Sequence, residues 1–263
     1  MSPIERRGSH PGRRKPGTGG RDFRGNGVPV APEALRERLD QGLARLPLDV
    51  GEIQRARLID YLQMLVKWNA VYNLTSVRDP LRMVAAHLLD SLAALPPLLG
   101  RLPADARILD VGSGAGLPGI AWALVLDGER LPRATIETVD AVDKKIAFQR
   151  QVQAQLGIPN LVCHHARVET LERPAFDVIT SRAYSTLNAL VEGTGPLLAD
   201  GGIWFALKGE VPTAELAALP DEAEAVTVER VEVPALDDAA RCVVLLRPRD
   251  GHRNEASAPD PAG

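Results

Sequence analysis

Four glycines fall within eight residues, Gly112, Gly114, Gly116 and Gly119, directly behind the apolar run Ile108-Leu109-Asp110-Val111. Glycine accepts positive φ and lets a ligand approach the backbone closely, so this turn presents main-chain N–H groups. Asp110 is the one charge in the first run, and Asp140 ends the next one, Ala134 to Asp140. Backbone donors set between carboxylates suit a nucleotide-type ligand. The planar fork of Arg182, at the end of the run Phe176 to Ala183, adds a group able to grip a carboxylate or a phosphate.

These groups need a scaffold that gathers them. Leu117, Ile120, Ala121, Leu124 and Val125 recur at helical spacing, and Pro118 suits the first turn of that helix. The run 134–140 reads as a strand, 144–156 as a helix, and 160–166 and 176–183 as strands. A helix and turn follow over 185–198, then a strand over 202–209. Two late runs, 226–233 and 241–246, suit an antiparallel pair at the sheet edge. Alternating strands and helices imply an α/β fold, a parallel Rossmann-like sheet covered on both faces. Ligands in such sheets bind at the carboxyl ends of the strands, where the glycine turn, Asp140, Ala166-Arg167-Val168-Glu169, Ser181-Arg182-Ala183-Tyr184 and Lys208-Gly209 would meet.

Ahead of the sheet the chain is helical. Leu35, Leu39, Leu43 and Leu46 mark a helix over 31–46, and Leu58, Leu62 and Leu65 a second over 49–70. Asp79 and Pro80 open a third, with Leu81, Val84, Leu88 and Leu92 on one side, stopped by Pro96 and Pro97. Between the last two, Trp68 to Val77 reads as a helix end with a polar turn. His87 and Asp90 are three apart and share a helix face, a spacing that suits a structural hydrogen bond. Four segments result: a basic arm over 1–30, a helical cap over 31–100, the sheet domain over 101–248 and a tail over 249–263.

At 263 residues with 45% hydrophobic side chains, one domain with appendages is expected. No apolar run approaches the ~18 residues of a membrane span, and the N-terminus lacks the apolar centre of a secretory signal, so a cytoplasmic protein is expected. Cys163 and Cys242 lie in apolar runs and the histidines are scattered, so no metal site is expected. The net charge of −3 does not advertise nucleic-acid binding. Residues 1–25 nevertheless carry seven basic side chains against Glu5 and Asp22. That Gly/Pro/Arg-rich composition predicts a disordered arm, read either as a polyanion-attracting element or as a dispensable tail.

Two cofactor classes use a glycine turn between strand and helix. Gly114, Gly116 and Gly119 satisfy the dinucleotide pattern formally, but its glycines should begin directly at the strand end. The order Asp110-Val111-Gly112-Ser113-Gly114-Ala115-Gly116 better suits S-adenosylmethionine, whose amino-acid moiety offers an ammonium to Asp110 or to backbone carbonyls. Asp140 can accept ribose hydroxyls in either class and can equally cap the helix that follows. Val168 would face the adenine ring and Glu169 its polar edge. A nicotinamide-dependent oxidoreductase and a non-catalytic RNA-binding protein are the readings that compete.

DVGSGAGLPG, WNAVYNLTS, the HLLDSL run (His87 to Leu92), VDAVDKKIAFQRQV (Val139 to Val152), ARVETL and SRAYSTL together resemble the bacterial small-subunit rRNA methyltransferase G family, also called glucose-inhibited division protein B. The resemblance spans about residues 50–247. It implies a class I S-adenosylmethionine-dependent methyltransferase sheet with an N-terminal helical cap. The implied reaction carries the methyl group to the position-7 nitrogen of one guanine in 16S rRNA near the decoding site, with naked rRNA or the small ribosomal subunit as partner; a monomer is expected. Matched by motif, Gly112 and Leu117 would contact the cofactor, Val168 and Glu169 the adenosine, and Arg182 would complete the site. Tyr184, Trp68 or Tyr72 would be available to stack on the target base. The chain departs from the family at Ala86, where a basic residue is usual before the histidine, and at Ala141, where a serine is common.

Overall fold

The computed structural model describes residues 30–126, 131, 133–172, 175–182, 185–236 and 239–249. Seven strands form one sheet in the order β3-β2-β1-β4-β5-β7-β6. β1 (Arg107–Val111), β2 (Thr135–Asp140), β3 (Leu161–His165), β4 (Phe176–Arg182) and β5 (Leu198–Lys208) run parallel. β7 (Cys242–Pro248) lies antiparallel to β5, and β6 (Ala223–Arg230) antiparallel to β7. This is the Rossmann-like sheet that the alternation predicts. The late pair is antiparallel as read, but the later strand is the inner one. Cys242 to Leu246 is buried throughout, whereas most of β6 is exposed, so the polar strand takes the edge.

Side chains alternate across the sheet and divide the core into two layers. Ile108, Ile136, Val178 and Phe205 face one side, with α6 (Gly119–Leu126) and α7 (Asp143–Leu156). Leu109, Val111 and Ile179 face the other, with α8 (Leu187–Thr194); the short α9 (Thr213–Ala217) packs beside α8. Every residue of α6 is buried, as a helix that is apolar all round must be. The sheet lies beneath it and the N-terminal helices lie above.

Those helices are α1 (Pro32–Leu43) and α2 (Glu52–Tyr72), then a continuous run of α3 (Pro80–Met83), a π-helical stretch Val84–Leu89 and α4 (Asp90–Ala93), then α5 (Pro96–Leu99). Their apolar stripes, Leu58, Leu62 and Leu65 among them, belong to the same core as α6 and the sheet. Trp122 of α6 donates its indole N–H to Ser91 O at 2.8 Å, fastening the layers together. Pro118 stands just before α6 rather than in its first turn. At the other end β7 runs to Pro248, and the N–H of Arg249 donates to Glu222 O at 2.8 Å, so the sheet holds the first residue assigned to the tail. Residues 1–29 of the arm and 250–263 of the tail lie outside the described residues. No helix among the described residues is long and apolar enough to cross a membrane.

Candidate functional site

Three residues of the turn after β1 adopt left-handed φ: Gly112 at 64°, Gly114 at 60° and Gly116 at 88°. That conformation favours glycine and folds the chain back on itself. The N–H groups of Gly112 and Ser113 donate to Val139 O at 2.9 and 3.2 Å, and those of Gly116 and Leu117 to Ser113 O at 2.8 and 2.9 Å. Gly114 N donates to Asp140 Oδ2 at 2.9 Å, which ties the turn to the end of β2.

The turn is also held from behind. Gln149, fully buried on α7, donates its amide to Ser113 Oγ at 2.8 Å and to Gly114 O at 2.9 Å, and accepts from Thr138 Oγ1 at 2.5 Å. The Tyr61 hydroxyl reaches from α2 to Ala115 O at 3.0 Å. Gly119 N donates to Asp110 Oδ2 at 2.8 Å, so a carboxylate sits at the start of α6. A Cβ on Gly119 would stand 2.7 Å from Thr138 Cγ2, so this fourth glycine is there for close packing.

Above the strand ends lies a cavity of ≈ 290 Å³. β1 and the turn after it supply Val111 and Gly112, the end of β2 and the residue after it Asp140 and Ala141, and the turn after β3 Arg167, Val168 and Glu169; Lys145 closes one side. Asp140 works hard within its own chain. It accepts from Gly114 N, from Val142 N at 2.9 Å and from Lys145 Nζ at 3.2 Å. A carboxylate offers about four lone-pair positions. One therefore remains for a ligand hydroxyl, and a second opens when the Lys145 side chain turns away.

Asp110 is fully buried beneath the turn, on the same sheet face as Arg182. Burial pushes its carboxyl up to about 7, against the opposing pull of the Gly119 N–H and the Arg182 guanidinium. Its Oδ1 has no hydrogen-bond partner among the described residues. Arg182, at the end of β4, donates through Nη1 to Ala86 O at 3.0 Å and to Asp90 Oδ2 at 2.9 Å. Burial and the Arg182 charge together hold His87 down at about 4, so its ring is neutral near pH 7.

A family model described as rRNA small subunit methyltransferase G matches residues 54–244. The chain belongs to that family. Among curated relatives, Ribosomal RNA small subunit methyltransferase G of Methylibium petroleiphilum is 46% identical over 220 residues, covering 83% of this chain and 97% of the relative. The proteins of that name from Acidovorax ebreus and Leptothrix cholodnii are 45% and 47% identical; they cover 83% and 81% of this chain, and 98% and 96% of their own lengths.

In this methyltransferase G chain, Gly112, Asp140, Val168 and Glu169 meet in the cavity wall, and Gly114 joins them through its bond to Asp140. Gly116 and Leu117 are buried below the turn: a Cβ on Gly116 would stand 2.3 Å from Ile120 Cδ1, and Leu117 packs into the core. Tyr184 lies outside the described residues. His87 and Asp90 do not bond each other. His87 Nε2 meets Thr75 Oγ1 at 3.0 Å and its Nδ1 meets Ala86 O at 2.9 Å, while Asp90 takes two arginines. The π-helical stretch is the reason, because i→i+5 winding rotates apart residues that an α-helix would align.

The methyltransferase G site differs from the sequence reading elsewhere too. Lys208 donates to Ser185 O and Glu215 Oε2, both at 2.8 Å, so this cation is tied within the fold. Trp68 packs between Tyr72 and Phe148, with ring centroids 5.1 and 5.5 Å away, and Asn73 ends α2 in the left-handed conformation. Asn69, buried beside them, donates to Val77 O at 3.1 Å and accepts from Thr75 N at 2.9 Å, the polar turn expected there. Gln149 and Arg241 escaped the sequence reading. Gln149 had one signal: Ile146, Gln149 and Val152 recur every three residues, which puts a polar side chain on the buried stripe of α7.

Proposed function

We infer that this chain transfers the methyl group of S-adenosylmethionine to the position-7 nitrogen of one guanine in 16S rRNA, near the decoding site. The observation that carries this reading is the cavity over β1, β2 and β3. Its wall joins glycine main chain, a carboxylate at the end of β2 and the Val168-Glu169 pair, in a chain of the methyltransferase G family.

The residues present fit that cofactor. A Cβ on Gly114 would meet only Gly112 O, at 4.0 Å, so space is open above the turn. The unpartnered Oδ1 of Asp110 would accept from the ammonium of the amino-acid moiety, direct or through water, and that positive charge would draw the buried carboxyl into its ionised form. Val168 and Glu169 would hold the adenosine, Asp140 a ribose hydroxyl, and the main chain of Gly112, Gly114 and Gly116 the cofactor's middle. Leu117 would back the turn from the core. Arg182 would take the carboxylate through the guanidinium nitrogens that Asp90 leaves free.

When bound, S-adenosylmethionine supplies an activated methyl group on a sulfonium. Guanine N7 offers an in-plane lone pair and has no proton to lose, so the chain needs no general base. Its task is to align nucleophile, methyl and sulfur, the positioning by which enzymes remove much of an entropic barrier. His87, neutral near pH 7, and Arg182, held by Ala86 O and Asp90, suit that role, since each is fixed in position by its hydrogen bonds. The acceptor is read as 16S rRNA, naked or within the small ribosomal subunit of the cytoplasm, recognised by shape, phosphates and an accessible base edge.

Incubation with labelled S-adenosylmethionine and undermodified small subunits, followed by mapping of the modified base, tests the reading. Label at N7 of a single 16S guanine is expected. Label on another RNA, or none, overturns it.

A further inference from the structure

Two arginines end on one buried carboxylate. Asp90, with its side chain 7% exposed, accepts from Arg182 Nη1 at 2.9 Å on one oxygen and from Arg241 Nε at 2.6 Å on the other. Arg241 also donates through Nη1 to Ala240 O at 2.8 Å. A single negative charge thus faces two positive ones. Among the described residues, Nη2 of each arginine and Nε of Arg182 have no protein partner. Unfilled guanidinium donors beside surplus positive charge form an anion site.

The sheet decides where that site points. Arg182 pairs with Leu207, and Leu207 with Val243. Side-chain alternation then puts Arg241, two residues before Val243, on the face of Arg182. Along the carboxyl edge the order is the cavity over β3, β2 and β1, then Arg182 on β4, then Arg241 just before β7. A cofactor whose nucleoside filled the cavity and whose carboxylate met Arg182 would set its reactive end near β4. An acceptor reaching that end would pass Arg241, whose side chain is 29% exposed.

We propose that Arg241 binds a backbone phosphate of the acceptor RNA, and that Asp90 positions both arginines, one toward the cofactor and one toward the strand. This rests on the RNA methyltransferase reading above. Phosphate contacts of this kind fix the register of a nucleic acid on a protein without reading its bases.

The test compares wild type with Arg241→Gln and Ala240→Glu, using undermodified small subunits and labelled S-adenosylmethionine. Arg241→Gln is expected to raise KM for the subunits about tenfold, the size of one charge-assisted hydrogen bond. Cofactor Kd stays unchanged, and the dependence of log affinity on log salt becomes shallower by about 0.7 to 1. Ala240→Glu changes an exposed residue, leaves Asp90 untouched and sets a carboxylate beside the phosphate, so it raises the same KM. Unchanged KM and salt slope in either folded variant overturn the proposal, as does cofactor binding weakened in step with KM. A wild-type chain that modifies no guanine overturns the RNA reading instead.

Discussion

Gln149 donates its side-chain amide to the carbonyl of Gly114 at 2.9 Å, so a helix formed after β2 sets the shape of the turn formed after β1. The same side chain bonds Ser113 and Thr138, which makes it the hub of a fully buried polar network. Networks of this kind rigidify when complete and are expensive when broken. Gln149→Leu is therefore expected to destabilise the chain by ~1–3 kcal/mol, the penalty for stranding buried polar groups. It also weakens cofactor binding, because the turn loses its rear support. Urea unfolding and calorimetric titration with S-adenosylmethionine read the two effects, and unchanged affinity would free the turn from Gln149.

Gly112 and Gly116 should fail in opposite ways. Gly112 lines the cavity, so Gly112→Asp fills ligand space with a charge and abolishes cofactor binding while the fold is largely kept. Gly116→Ala drives a Cβ to 2.3 Å from Ile120 Cδ1 at a left-handed φ, so it loses stability, by ~1–3 kcal/mol as overpacked cores do. Thermal melts with and without cofactor separate the two behaviours.

Arg182→Ala is expected to lower methyl transfer at least a hundredfold with a native circular dichroism spectrum. Arg241 remains on Asp90 in that variant, so the buried carboxylate keeps one partner. Retained transfer would leave Arg182 as scaffolding alone.

Two buried groups should pull the pH dependence of stability in opposite directions. Asp110, raised from 3.8 to about 7, stays protonated in the fold while the unfolded chain ionises, so its contribution falls as pH rises between those values. His87, lowered from 6.5 to about 4, stays neutral in the fold while the unfolded chain binds a proton, so its contribution rises across that window. Each carries a slope of up to about 1.4 kcal/mol per pH unit, and in the wild type they offset. Asp110→Asn should expose the rising slope and His87→Gln the falling one, read by urea unfolding from pH 4.5 to 7. Parallel slopes in all three proteins would remove both assignments.

What the chain discloses without coordinates is local. The glycine turn, the Val168-Glu169 pair and the parallel direction of β1 to β5 follow from short runs whose composition and period act on their own neighbours, while the order of those strands across the sheet does not. Asp90 was legible only as a helical residue near a histidine. Its partners, Arg182 and Arg241, lie far along the chain, and the π-helical stretch that turns it away from His87 leaves no period to read. Asp110 was legible as a carboxylate at a strand end but not as a buried one, since burial depends on α6 folding over it.

The hydroxyl of Tyr61 on Ala115 gives the N-terminal helices a meaning beyond shelter. A chain cut to begin at β1 would keep every glycine of the turn and every strand, yet present the turn without the Tyr61 hydroxyl behind it. Nascent protein leaving the ribosome meets the reverse problem, with the brace made first and idle until the turn arrives. The shape of the turn therefore draws on two distant segments, and a fragment that keeps its brace includes α2.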